Sequence, residues 1–188
     1  MRTSTLLIGS GVWLAVGALV AALSNTPVVR PAEPAAAADG GLPSLVVLAG
    51  RRISAPVDPV GTEPGGALAL PADVRRVGWW TGGALPSDVQ GTVVLAGHVD
   101  DSTGRGAFFA LRDVAAGDRV EITAGRTTVA YAVTGVARYR KQALPADLFT
   151  TTGPPRLALI TCGGPFDSST GHYRDNIVVL ATPAPTGQ

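Results

Sequence analysis

Leu157-Ala158-Leu159-Ile160-Thr161-Cys162-Gly163-Gly164-Pro165 sets the only cysteine of the chain directly after an apolar run. Leu157 to Ile160 is too short for a helix and reads as a buried strand. Gly163, Gly164 and Pro165 are expected to stop that strand and turn the chain into a loop. A thiol is then presented at the last residue of a rigid element. Arg174 lies twelve positions further on, just ahead of a second apolar run, Ile177 to Leu180. Pairing of the two strands would carry its guanidinium back toward the sulfur.

The surroundings of this stretch are strand-like almost throughout. Twenty-four glycines and fifteen prolines in 188 residues favour short strands and turns over long helices. Leu45 to Leu48 is a short apolar run, and Ile53 to Val60 is broken by Pro56 and Pro59, which suits an edge or a bend. Thr92 to Ala96 is a strong apolar strand delivering Gly97-His98-Val99-Asp100. Phe108 to Val114 is the one convincing helical piece, of one or two turns. Val120 and Ile122 alternate with Arg119, Glu121 and Thr123, and Val129, Tyr131 and Val133 repeat the pattern after Ala124-Gly125, so Arg119 to Val136 reads as a hairpin. Seven or eight such strands make an all-β barrel or sandwich.

Leu6 to Leu23 carries no charge and as a helix would reach about 27 Å, close to the ~30 Å hydrocarbon core of a bilayer. It exceeds the apolar segment of a secretory signal, about 7–15 residues, so an uncleaved transmembrane anchor (1–24) is preferred over a cleaved signal. Asn25 to Gly41 is rich in Ala and Pro and reads as a tether (25–41), leaving 42–188 as one domain. Arg2 on the short N-terminal side puts that end in the cytoplasm and the domain outside the cell membrane. A net charge of +1, with only 15% charged residues, argues against a nucleic-acid surface. One cysteine excludes a disulfide framework and any multi-cysteine zinc site.

Three groups are candidates for chemistry: Cys162, a histidine and Arg174. A thiol becomes a good nucleophile once deprotonated, which a neighbouring imidazolium or guanidinium favours. Against this, lone cysteines often serve as small buried hydrophobes. His98 leaves a rigid strand, whereas His172 sits near Arg174 in a presumed loop; either can be a surface histidine. Arg174 can simply pair with Asp167 or Asp175, and Trp79-Trp80 can line a cleft or pack in the core.

Leu159-Ile160-Thr161-Cys162 with Arg174 downstream and Gly97-His98-Val99-Asp100 upstream resembles the signature of sortases, the cell-surface cysteine transpeptidases of Gram-positive bacteria. Thr161-Cys162-Gly163-Gly164-Pro165-Phe166-Asp167 and Gly171-His172-Tyr173-Arg174-Asp175-Asn176 look like the actinobacterial class F group. The resemblance runs from about Leu42 to Ala181, through Ala55-Pro56-Val57, Val77-Gly78-Trp79 and Gly117-Asp118-Arg119-Val120. Ala158 departs from it, standing where many sortases have threonine.

The resemblance implies a sortase-type closed β-barrel of about eight strands with a cleft around the cysteine strand. It implies Cys162 as nucleophile, His98 as general acid/base and Arg174 as the substrate-orienting, oxyanion-stabilising group, with Thr161 and Gly163 beside the substrate. The family's reaction cleaves a Leu-Pro-x-Thr-Gly sorting signal of a surface protein between Thr and Gly. A thioester forms and an amine, commonly of a cell-wall precursor, resolves it; no cofactor or metal is needed. Two other readings use the same residues: a secreted cysteine hydrolase ending in water, and an anchored barrel that binds peptide without turnover.

Overall fold

The computed structural model describes residues 41–185. The expected transmembrane helix and nearly all of the tether fall outside the described residues. Ten strands follow one another: β1 (Pro43–Leu48), β2 (Ile53–Val60), β3 (Val77–Trp80), β4 (Thr92–Gly97), β5 (Asp100–Asp101), β6 (Gly104–Arg105), β7 (Arg119–Ala124), β8 (Thr127–Arg140), β9 (Arg156–Asp167) and β10 (His172–Pro183). Eight of them close into a barrel in the order β1-β2-β3-β4-β9-β10-β8-β7, while β5 and β6 form a separate two-stranded ribbon. This is the all-β closed barrel expected from the sequence. The hairpin expected over Arg119 to Val136 is β7–β8, with β8 running on to Arg140. The helical piece is a short 3₁₀ helix, Phe109–Asp113.

Two expectations about strands are corrected. Of the edge or bend expected from Pro56 and Pro59, the edge is not found, because β2 is a member of the closed barrel. β2 pairs antiparallel with β1 through Ile53 to Pro56 and then parallel with β3 through Val57 to Val60. Each half thus has a ladder on one side only, which tolerates residues without an N–H. The second correction concerns the cysteine. Gly163-Gly164-Pro165 do not end β9; the strand continues to Asp167, and Cys162 sits within it.

The reason lies in the register with β10. Asn176 pairs with Cys162 and Asp175 with Gly163, but the next pair is Tyr173 with Phe166. Two residues, Gly164 and Pro165, therefore oppose Arg174 alone, which is a β-bulge. Gly164 adopts φ 74°, the left-handed conformation open to glycine at little cost. The turn comes only at 168–171. Arg174 and His172, expected before the strand and in a loop, both belong to β10.

Gly164→Ala is expected to destabilise the domain by at least ~1–2 kcal/mol, the cost of a left-handed alanine. Its Cβ would also collide with the Asp175 carboxylate. A shift in the denaturation midpoint measures this; an unchanged midpoint would show that the bulge is dispensable.

Side chains alternate across β4 and β9, so each strand feeds two apolar layers. Val93, Leu95, Leu157 and Leu159 point into the barrel with Phe108, Leu111 and Trp79. Val94, Ala96, Ala158 and Ile160 point outward and are covered by Leu148, Phe149, Leu68 and Leu70. Double coverage explains why these strands read as continuous apolar runs rather than alternating ones. The outer cover is anchored by Arg156, whose Nε donates to Thr92 Oγ1 (2.9 Å) and whose Nη2 donates to the Asp147 carbonyl.

Candidate active site

Cys162 prolongs the outward row Ala158, Ile160 and so emerges beside the outer apolar layer, half-buried and with a free thiol. β4 runs parallel to β9 in the register Ala96 with Ile160. Cys162 stands two residues beyond Ile160 on β9, and His98 follows directly on the last residue of β4. Both border one cavity of about 610 Å³, together with Asp100, Lys141, His172 and Tyr173. The two sequence-nominated groups are therefore brought together by parallel strand pairing across 64 residues of sequence.

Hydrogen bonds fix this end of the barrel. Thr161 points inward, is buried, and donates from Oγ1 to the Gly97 carbonyl at 2.8 Å, tying β9 to the exit of β4 next to His98. Its hydroxyl is therefore engaged by the Gly97 carbonyl. Gly163 is glycine for room: a Cβ there would lie 2.7 Å from Ile177 Cγ1. Tyr173 donates from its hydroxyl to Asp100 Oδ2 at 2.8 Å, joining β10 to the segment after His98. That bond, together with burial, raises the Tyr173 phenol above its ordinary value and keeps it the donor. Asp101 is held below the usual carboxylate range by Thr103, so it is an anion capping its own turn.

His98 Nε2 lies 3.1 Å from the Pro71 carbonyl. A carbonyl oxygen only accepts, so Nε2 is the donor in this contact. Pro71 belongs to the same β2–β3 connection that supplies Leu68 and Leu70 to the groove, so one segment shapes the groove and orients the imidazole.

Cys162 also closes one end of a groove of about 520 Å³ whose walls are Leu68, Leu70, Leu144, Phe149 and Ile160. Trp80 meets Phe149 edge-on at 5.4 Å and stiffens that wall, whereas Trp79 is a core residue donating to the Ala84 carbonyl (3.1 Å). Adjacent tryptophans thus divide between rim and core, as alternation requires.

Arg174 takes a different position from His98. It stands on β10 next to the bulge, and its Nη2 pairs with Asp167 Oδ2 at 3.2 Å, with the arginine side chain 56% exposed. It borders a neighbouring depression with Lys141 and His172 rather than the Cys162 groove. Asp167 is held anionic chiefly by Ser169, with Arg174 adding to the effect. Sequence reasoning named this surface pair as one possibility. Lys141, Tyr173 and Asn176 border the site and were not nominated. The Gly171-His172-Tyr173-Arg174 run placed Tyr173 near the site, but only the tertiary pairing with Asp100 gives it a role.

The sortase domain model matches residues 51–184. Among solved structures, sortase C-1 from Actinomyces oris is 23% identical, with a TM-score of 0.60 over 76% of this chain and 74% of that one. Streptococcus agalactiae sortase C1 in complex with MTSET is 22% identical, with a TM-score of 0.61 over 77% and 70%. Sortase A from Corynebacterium diphtheriae, a lid mutant, is 19% identical, with a TM-score of 0.60 over 78% and 72%. Comparison with curated proteins finds no match. The structural likenesses, at such identities, speak for the barrel; the domain match covers most of the sequence and includes both Cys162 and His98. The chain belongs to the sortase family of cysteine transpeptidases.

Proposed function

We propose that this chain is a class F sortase that cleaves a Leu-Pro-x-Thr-Gly-like sorting signal between Thr and Gly and passes the acyl group to an amine of the cell wall. The observation that carries the reading is that Cys162 and His98 line one cavity where the parallel strands β9 and β4 end their pairing, with Cys162 also lining an apolar groove. The groove walls suit the Leu-Pro part of such a signal, placing the Thr carbonyl near the sulfur.

Cys162 attacks that carbonyl as the thiolate, and negative charge develops on the oxygen. Arg174 leaves Asp167 to meet it. Collapse of the adduct breaks the C–N bond, and the imidazolium of His98 gives its proton to the departing glycine nitrogen. The thioester then waits for an amine, whose proton the neutral His98 takes as the new amide forms and the C–S bond breaks. Leu6 to Leu23 holds the enzyme at the outer face of the cell membrane, where surface-protein clients arrive.

Incubating the domain with a sorting-signal peptide tests this directly. Without amine, mass spectrometry should find a thioester on Cys162; with amine, a transpeptidation product. A hydrolysed product unaffected by amine would make the chain a hydrolase, and binding without any adduct would make it a receptor. His98→Ala is expected to cost about 10²-fold in kcat/KM, the lower end of acid/base contributions, and His172→Ala far less. The reverse ordering would move the acid/base role to His172.

A further inference from the structure

Cys162 borders a third cavity, of about 350 Å³, whose lining differs in chemistry from the other two. It is lined by Gly163, Gly164 and Pro165 as well as by Arg112, Arg138 and Phe109. Arg138 stands on β8 opposite Ile177, whose other neighbour is Thr161, so it shares the inward face at this end of the barrel. Arg112 comes from the 3₁₀ helix that closes the same end, with its guanidinium carbon 4.1 Å from the Phe109 ring centre and its Nε donating to the Phe109 carbonyl. Arg105 covers the same ring at 4.3 Å. Seven of the twelve arginines among the described residues form ion pairs; Arg105, Arg112 and Arg138, like Arg52 and Arg126, form none. Two guanidinium groups without a carboxylate partner therefore face a small cavity that shares Val99, Cys162 and Tyr173 with the His98 cavity.

We propose that this cavity receives the acceptor and that Arg112 and Arg138 select an amine carrying a carboxylate close to its nitrogen. The inference rests on the transpeptidase reading above and names its acceptor class. The planar fork of a guanidinium matches a carboxylate bidentately, and an apolar floor of Val99, Phe109 and Ile177 suits a short aliphatic stem. The apolar groove takes the donor peptide, so donor and acceptor approach Cys162 from different sides. The amine nitrogen attacks the thioester carbon, the C–N bond forms, the C–S bond breaks, and His98 takes the proton released by nitrogen while the sulfur leaves as thiolate.

The first measurement needs no sorting signal. Alkylation of Cys162 by iodoacetate is compared with alkylation by neutral iodoacetamide, and the rate ratio is referred to that of free cysteine. The ratio should exceed that of free cysteine by about tenfold, should fall severalfold in Arg112→Gln/Arg138→Gln, and should be largely restored in Arg112→Lys/Arg138→Lys. An unchanged ratio in the glutamine variant overturns the proposal, whatever the enzyme does with peptides. The second measurement uses the thioester enzyme and compares capture by glycylglycine with capture by glycylglycine amide. Preference for the free carboxylate that is lost in the glutamine variant supports the site; equal capture of both acceptors overturns it. If no thioester forms while the alkylation ratio behaves as stated, the transpeptidase reading falls and the anion site stands.

Discussion

Cys162→Ala is expected to remove peptide cleavage and transfer by a factor on the order of 10⁴ or more, because the covalent route disappears with the sulfur. The fold should remain. Cys162 is half-buried and forms no disulfide, and the outward row it prolongs is held by Ala158, Ile160 and their cover rather than by the thiol. A midpoint shift within about 1 kcal/mol is therefore expected from denaturation. His98 and the groove remain in the variant, so peptide binding should persist, and a titration with labelled peptide will show a Kd close to that of the parent. This separation of binding from turnover is what the nucleophile assignment requires. Turnover by the alanine variant at the parent rate would remove Cys162 from the chemistry altogether, and with it the transpeptidase mechanism.

Much of this site was legible because its elements announce themselves locally. An apolar run ending in Thr161-Cys162 and another ending in Gly97-His98 are strands by length and composition, and the structure makes them parallel neighbours. The hairpin over β7 and β8 followed from alternation that any one-sided sheet imposes. What failed was the reading of Gly163-Gly164-Pro165 as a stop. Glycine and proline break strands on average, but a bulge accommodates both, since Gly164 supplies the left-handed residue and the pairing resumes at Phe166 with Tyr173. Which of those outcomes occurs depends on the partner strand, and no local window contains it. The same limit hid the role of Tyr173, which is defined by a bond to Asp100 across 73 positions. Likewise the groove walls come from two connections, around Leu68 and around Leu144, that carry no motif of their own. The edge alternative for the prolines of β2 fails for a related cause, because a strand that changes partners halfway has an unladdered side without being an edge.

Arg174→Lys is expected to lower kcat by about 10²–10³-fold, the scale of losing one oxyanion donor. In the resting structure the guanidinium is held at Asp167, and its strand position explains how it reaches further. Arg174 lies two residues before Asn176, the partner of Cys162, and the bulge opposite it widens β9 rather than β10. Its backbone is held between the paired residues Tyr173 and Asp175, while its tip is half in water and, in the proposed mechanism, exchanges one anion for another. A surface ion pair of this kind contributes little to stability, so releasing Asp167 costs about 1 kcal/mol or less. In the proposed mechanism the oxyanion offers a stronger, charge-assisted contact in a site from which the peptide displaces water. Lysine keeps the positive charge but presents it as a single point, without the second donor that holds the tetrahedral oxygen in line. Alkylation of Cys162 by iodoacetamide generates no oxyanion, and its rate should fall far less than kcat in the same variant. If turnover and alkylation fall together, Arg174 acts by favouring the thiolate; if neither falls, its pairing with Asp167 is its whole role and the oxyanion is met by another donor.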